Sequence, residues 1–330
     1  MVTVRTGVIG CKGTHADGVI ESEYGTCVAC ADLDEPTARS FAEEYGGDWF
    51  TDHEEMVREA DLDAVTIATP SGTHADIAID CLEAGAHVLC EKPLDVYIDR
   101  VDAMIETADR EDRILAGIFQ RRADPEYQRA REAIQAGEVG DPVLGDVHIK
   151  WFRTDEYYGR GDWRGTRALD GGCLMNQGIH SIDLLQWLMG GVESVYAITD
   201  TVAHDMEMED VAAAVLTFEN GAHGTIEATT ATPEGRSQLS VDGTEGSYVA
   251  GEYLRTIDED VDIASIPDPP DAPRAGQIDD FLEAIVEGRE PMVPGRAARD
   301  AVEVVLACYA SANLERRVEL DELRELAEHT

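Results

Sequence analysis

The sequence predicts an α/β protein. A doubly wound parallel sheet comes first, and a second, α+β domain of largely antiparallel strands follows. Three observations carry this. Apolar strand-like runs alternate with helix-like segments through roughly the first 120 residues, the pattern of βαβ units. Beyond that point strand-like runs follow one another directly. The first run ends in glycine at Gly10, and an acid, Asp32, stands 22 positions further on, the spacing of a dinucleotide-binding turn and its ribose partner.

In chain order, Val4 to Ile9 reads as the first strand, followed by the turn Gly10-Cys11-Lys12-Gly13-Thr14-His15 and a short helix to about Glu23. Cys27 to Ala31 is a second strand closing on Asp32, and Glu35 to Tyr45 is helical. Leu62 to Ala68 is a strand that runs into Thr69-Pro70-Ser71-Gly72-Thr73-His74. A helix from about Ala75 to Ala84 leads to the strand Val88 to Cys90. A helix over Ile98 to Glu111 and a strand over Ile114 to Phe119 complete the alternation. This gives a first domain over 1–121 and a second over 122–330.

In the second domain Val143 to Phe152 is a strand and Leu174 to Met189 a helix. Val192 to Ala203, Val211 to Phe218, Ala222 to Thr232, Arg236 to Val241 and Ser247 to Ala250 read as consecutive antiparallel strands. Asn220-Gly221 is a hairpin signal. The proline-rich stretch Ile266 to Pro273 reads as a surface linker. Helices at about Gln277 to Glu287 and Ala297 to Leu314 are expected to pack back on the first domain.

The net charge is −42 and the pI about 4.3. Such acidity excludes nucleic acid, whose phosphates need Lys and Arg, and argues against anionic membrane surfaces. The acids are scattered over helix faces rather than gathered in a tail, and lysine is nearly absent: Lys12, Lys92 and Lys150 are the only three. This composition resembles that of halophilic proteins working in molar salt, where the Debye length falls to about 3 Å. The seven cysteines are odd in number and without framework spacing, so free thiols in a reducing cytoplasm are expected. The chain starts in a strand, so no signal peptide is expected. No apolar run approaches the roughly 18 residues of a membrane span.

Lys92 ends a predicted buried strand. Open α/β sheets bind ligands at that edge, and Pro93 biases Lys92 toward extended backbone. Lys92 therefore either faces a cofactor and substrate or simply reaches water. The turn at Gly10 should hold a dinucleotide pyrophosphate, with Asp32 on the ribose. A carboxylate there repels a 2′-phosphate, which favours NAD over NADP. The turn departs from G-x-G-x-x-G, being Gly10-x-x-Gly13 and shorter, with Lys12 placed to supply charge instead. On the predicted helix Leu174–Met189, Asn176, His180 and Asp183 fall at i, i+4 and i+7 and share one face. A lone histidine there would be an ordinary core residue; with Asn176 and Asp183 beside it, catalysis is the better reading. Trp163 and Arg164 lie in an aromatic, arginine-bearing loop suited to sugar faces and anions, or to plain loop packing. His204 to Asp210 reads as acidic surface or an interface strand rather than a metal cluster, and no metal is called for.

The motifs Gly7-Val-Ile-Gly10, Asp32, Thr69-Pro-Ser-Gly-Thr-His74, Glu91-Lys92-Pro93, Phe119-Gln120-Arg121-Arg122 and Gly171-Gly-Cys-Leu-Met-Asn-Gln-Gly-Ile-His180-Ser-Ile-Asp183 together resemble the Gfo/Idh/MocA oxidoreductases. The resemblance runs from residue 1 to about 250. It implies a Rossmann domain followed by an α+β domain with one large open, mostly antiparallel sheet, whose far face builds a homodimer or homotetramer. It implies hydride transfer between NAD and a secondary alcohol of a sugar, sugar acid, nucleotide sugar or cyclitol. Lys92 would contact the nicotinamide ribose and the reacting hydroxyl, and His180 would be the general acid/base, with Asn176 standing where the family usually has Asp. Cofactor contacts are implied at Ile9, Gly10, Cys11, Lys12, Gly13, Asp32, Thr69, Pro70, His74, Glu91, Lys92 and Gln120. Substrate contacts are implied at Trp163, Arg164, Asn176, His180 and Asp183. Three alternatives stay open: a member whose tightly bound NAD recycles, a different chemistry on this fold such as NAD-assisted glycoside cleavage or imine or enone reduction, and a sensor that binds NAD and sugar without turnover.

Overall fold

The computed structural model describes residues 3–12, 15–233, 235–269 and 276–329. The chain forms two compact units. The first comprises the described residues of Met1–Asp95, Asp99–Gln120 and Pro273–Arg299; the second comprises those of Val96–Ile98, Arg121–Ala272 and Asp300–Thr330.

The first unit is built from β1 (Val4–Ile9), α1 (His15–Glu21), β2 (Gly25–Ala31), α2 (Glu35–Tyr45), β3 (Asp48–Phe50), α3 (His53–Glu59), β4 (Ala64–Ile67), α4 (His74–Glu83), β5 (His87–Cys90), α5 (Ile98–Glu111) and β6 (Leu115–Gly117). Its six strands lie in the order β3-β2-β1-β4-β5-β6, and every pair is parallel. This is the doubly wound order whose direction reverses between β1 and β4. All four residues of β4 are buried, because helices cover both faces of such a sheet and the strand must be apolar throughout. The helix starts are locally encoded. Asp34 caps α2 by accepting the Thr37 N–H at 3.1 Å, with Pro36 in the first turn, where its missing N–H costs nothing. Two elements of this unit escaped the sequence reading. In α3 only Met56 is buried, so no apolar period marks it, and β3 is three residues long.

The second unit contains α6 (Pro125–Gln135), β7 (Pro142–Lys150), α7 (Asp155–Tyr158), a π-helical turn (Cys173–Gly178) running into α8 (Ile179–Met189), β8 (Val192–Asp200), β9 (Val211–Phe218), β10 (His223–Thr229), β11 (Gln238–Gly243), β12 (Gly246–Val249), β13 (Tyr253–Thr256) and β14 (Asp260–Val261). Next in the chain come α9 (Gln277–Glu287), in the first unit, then α10 (Gly295–Leu314) and β15 (Val318–Glu319). Phe281 and Leu282 of α9 are fully buried in one cluster with Val4, Ala64, Leu89 and Ala116 of the parallel sheet, so a late segment completes the core of the first unit.

The nine strands of the second sheet lie in the order β14-β13-β12-β11-β7-β10-β9-β8-β15. The antiparallel expectation needs one correction. β10 and β11 are not neighbours: β7 inserts between them, parallel to β10 and antiparallel to β11. Strand-by-strand patterning cannot see an early strand inserted into a later meander. The Asn220-Gly221 turn does close β9 onto β10, with Gly221 at φ 86°. Burial alternates along β9, so one face of this sheet is covered and the other is not. A second correction concerns the helix expected from Leu174 to Met189. Its first turn is π-helical, so the face-sharing argument for Asn176, His180 and Asp183 does not hold at α-helical spacing. The third concerns His204 to Asp210: Glu209 and Asp210 are 5% and 0% exposed, and are not acidic surface. Of the linker expected at Ile266 to Pro273, 270–273 lie outside the described residues.

Candidate active site

In the first unit the strand ends converge at one edge. Ile9 is the last residue of β1 and is buried; its carbonyl oxygen accepts from the Ala68 N–H at 2.8 Å, so the strand end is held through its backbone. Gly10 turns at φ 88°, and a Cβ there would sit 2.5 Å from the Ala68 carbonyl oxygen, so only glycine permits this bend. The Asp32 carboxylate accepts the Cys11 N–H at 3.0 Å and the Asp34 N–H at 2.9 Å. It is thereby fixed at the end of β2, beside the turn. Lys12 is exposed and borders, with Cys11 and α2, a depression of about 460 Å³. Gly13 lies outside the described residues. A glycine bend, a carboxylate pinned beside it and an exposed ammonium fit a dinucleotide at this edge.

Thr69, Pro70, Glu91, Lys92 and Gln120 follow β4, β5 and β6 at the same edge. Thr69 and Pro70 are half-buried and Gln120 is exposed. Lys92 is half-buried and precedes a cis peptide bond to Pro93. Three ties hold the segment around it. The Glu91 carboxylate faces His15 Nε2 at 3.1 Å and accepts the Lys92 N–H at 3.1 Å. Burial pushes Glu91 up, but His15 and Lys92 outweigh it and hold the carboxyl below its ordinary value. His74 is 1% exposed, with ring nitrogens 2.8 Å from the Pro93 carbonyl oxygen and 2.9 Å from that of Thr69. Burial lowers its pKa. His74, expected among the cofactor contacts, uses both ring nitrogens to brace these two loops. The third tie is Asp95, fully buried, which accepts the Ala75 N–H at 3.2 Å and an Arg100 N–H at 3.2 Å. Sequence reading missed His15 and Asp95; the acid two positions after E-K-P was the only available signal.

In the second unit the aromatic loop and the π-helical turn join in one hydrogen-bonded chain. Arg164 lies between the rings of Tyr157 and Trp163, 4.3 and 4.4 Å from their centroids, and donates to the Tyr157 hydroxyl at 2.7 Å. Gln177 donates to the same hydroxyl at 3.4 Å and to Asn176 Oδ1 at 3.0 Å. The Asn176 amide nitrogen donates to Asp170, which is 1% exposed. The amide of Asn176 thus has a fixed orientation, with its oxygen toward Gln177 and its nitrogen toward Asp170. His180 follows in the first turn of α8 and is half-buried. Asp183 does not join this group. It is 1% exposed, and both its oxygens are engaged by Arg122, at 2.8 and 2.6 Å. Burial raises its pKa and Arg122 opposes the rise. A carboxylate so occupied anchors α8 and is closed to a substrate. Gln177, Asp170 and Arg122 were not singled out from sequence; Arg122 was visible only as part of the Phe119-Gln-Arg-Arg122 motif.

The fold and these two clusters define a dinucleotide-binding oxidoreductase. Residues 4–119 match the oxidoreductase family with an NAD-binding Rossmann fold, and residues 127–249 match the GFO/IDH/MocA C-terminal domain. The chain belongs to the Gfo/Idh/MocA oxidoreductase family. It is 29% identical to myo-inositol 2-dehydrogenase of Thermotoga maritima, over 97% of this chain and 99% of that one. To D-xylose 1-dehydrogenase (NADP(+)) 2 of Haloferax volcanii it is 28% identical, over 96% and 99%. Among solved structures it resembles the WlbA dehydrogenase of Chromobacterium violaceum in complex with NADH and UDP-GlcNAcA, with a TM-score of 0.90, 29% identity and coverage of 97% and 96%.

Proposed function

We propose that this oxidoreductase is an NAD-dependent dehydrogenase acting on a secondary alcohol of a sugar, sugar acid, nucleotide sugar or cyclitol. The observation that supports it most is Lys92, held at the C-terminal end of β5 by ties through Glu91, His74 and Asp95. A lysine on a segment tied at three points along a ligand-binding edge is placed for chemistry rather than for solvation. The named activities of the relatives, on inositol, xylose and a nucleotide-linked sugar acid, support the substrate class.

NAD held at the Gly10 turn and Asp32 would supply the acceptor for the hydride of the carbinol carbon. His180 takes the hydroxyl proton; an imidazole's ordinary pKa of about 6.5 suits a base near neutrality. The Lys92 ammonium stabilises the negative charge that builds on the oxygen. Asn176 cannot take a proton. Its amide, fixed by Asp170 and Gln177, orients the substrate, and Arg164 with Trp163 offers a cationic, aromatic surface to it. Asp32 favours NAD over NADP, since its carboxylate repels a 2′-phosphate. The far face of the second sheet, where Tyr196 and Val215 pair across β8 and β9 with 45% and 55% exposure, supports a homodimer or homotetramer. The acidic composition supports a salt-rich cytoplasm.

Lys92→Ala and His180→Ala should each lower kcat by about a hundredfold or more, with NAD affinity within a few-fold of wild type. NADH formation is followed with a panel of sugars, sugar acids, inositols and nucleotide sugars, with NAD and NADP in parallel. Near-normal turnover in either variant overturns the assignment. A wild-type protein that retains NAD and releases no NADH would instead be the recycling type; one that binds both ligands without turnover would be a sensor.

A further inference from the structure

The π-helical turn Cys173–Gly178 begins without a capping side chain of its own. The first N–H groups of a helical segment need outside acceptors, and here Glu209, just before β9, supplies them. Its carbonyl oxygen accepts the Cys173 N–H at 2.9 Å, and its Oε1 accepts the Leu174 N–H at 2.9 Å. Tyr309 of α10 completes the arrangement: its hydroxyl accepts the Gly172 N–H at 3.3 Å and donates to Glu209 Oε1 at 3.1 Å. Gly172 is required at its position, because a Cβ there would fall on the Glu209 carboxylate. Asn176 closes the turn, its N–H donating to the Gly172 carbonyl at 3.0 Å.

We propose that Glu209 is a positioning residue: its ionised carboxylate holds the turn that carries Asn176 and leads into His180, and its protonation loosens that turn, so that turnover falls on acidification. This rests on the functional reading above for its link to turnover, though not for its link to the turn. The titratable groups facing Glu209 are Cys173 from the turn, Tyr309 and Cys308 from α10, and Asp210 beside it in the chain; Arg167, Asp200 and Glu207 line the same depression as Glu209 and Tyr309. Asp210 is itself occupied by the N–H groups of Val202, Ala203 and His204. The Leu174 N–H and the Tyr309 O–H both donate to Glu209 Oε1, while Oε2 is buried with no hydrogen-bond partner among the described residues. A proton on Oε1 puts a donor against those donors, and a proton on Oε2 removes the charge that strengthens both bonds at Oε1, so either weakens the hold on the turn. No cation pairs with Glu209 among its described hydrogen bonds, and burial pushes its carboxyl up to about 7 against the pull of those donors. The switch therefore falls in the physiological range. The folded state binds this proton more tightly than the unfolded chain. The stability it contributes is fully present below about 4.5, the ordinary value, and is lost as pH rises through about 7. Stability and turnover should thus respond to pH in opposite directions.

The test is Glu209→Gln, a mimic of the protonated carboxyl. Two measurements are made: kcat against pH, and amide hydrogen-exchange protection of residues 172–180 corrected for intrinsic rates. At pH 8 the variant should show kcat about tenfold below wild type, no ionisation near pH 7 attributable to this group, unchanged KM for NAD, and reduced protection of 172–180. Tyr309→Phe removes one donor and should move the acid limb of wild type upward. Wild-type protection of 172–180 in Glu209→Gln at pH 8, or a pH profile superimposable on wild type, overturns the proposal. The exchange measurement needs no substrate. If the wild type turned over nothing in the panel, the dehydrogenase reading would fail while Glu209 was still judged on protection; should Glu209→Gln not fold, Tyr309→Phe carries both readouts.

Discussion

At the scale of single residues, the Arg122–Asp183 pair spends buried charge on anchoring α8. Asp183 and Arg122 form a bidentate pair with side chains 1% and 8% exposed. Taking such a pair out of water is costly, and removing one partner strands the other. Asp183→Asn should therefore lower unfolding free energy by about 3 kcal/mol, measured by denaturant titration. A loss under about 1 kcal/mol would mean that water reaches Arg122. The same residue shows how chemistry was misplaced in the sequence. Asp183 lies three positions after His180 and was read as a substrate contact, because on paper both sit on a polar stripe. The π-helical turn takes Asn176 off that stripe, and Asp183 faces a buried arginine 61 positions away in the chain.

At the scale of elements, strand ends and turns decide the chemistry. The β1 turn works because Gly10 holds a left-handed backbone against the Ala68 carbonyl. Gly10→Ala should destabilise the protein by more than about 1 kcal/mol and weaken NAD binding at least tenfold, read by calorimetric titration. Binding at wild-type affinity would show that the turn can re-form without glycine. Most of this edge was legible in the sequence, since each strand ends in a residue of marked chemistry: Gly10, Asp32, Thr69, Lys92. The π-helical turn was not. Nothing in Cys173-Leu-Met-Asn-Gln-Gly178 distinguishes it from an α-helical start. Its geometry comes from Glu209 and Tyr309, which fix its first amides from other parts of the chain.

At the scale of the whole molecule, 68 acids against 26 bases make self-repulsion the dominant long-range term. Raising ionic strength from about 0.1 M to about 1 M shortens the Debye length from about 10 Å to about 3 Å. The Tm should rise by several degrees between dilute buffer and molar KCl, and light scattering over the same series should show the proposed oligomer gaining mass with salt. A Tm indifferent to salt would argue that the charges are already neutralised locally, and the proposed salt-rich setting would lose its support. Among the described residues no helix is long and apolar enough to cross a membrane.

What the sequence determined by itself is what short-range physics writes into a chain. The alternation of strand and helix fixed the parallel sheet, and the motifs from Gly10 to Lys92 mark the sheet edge proposed for the cofactor, because each depends on residues near one another in sequence. The Asn220-Gly221 turn fixed its own hairpin for the same reason. Only the tertiary structure decided that β7 would divide β10 from β11, and that α9 would return to complete the first core. It also decided that His74 would brace two loops, and that Asp183 and Glu209 would be buried with partners from elsewhere. Those outcomes are set by long-range packing and by the need to satisfy buried polar groups, and no local pattern announces which distant side chain will meet that need.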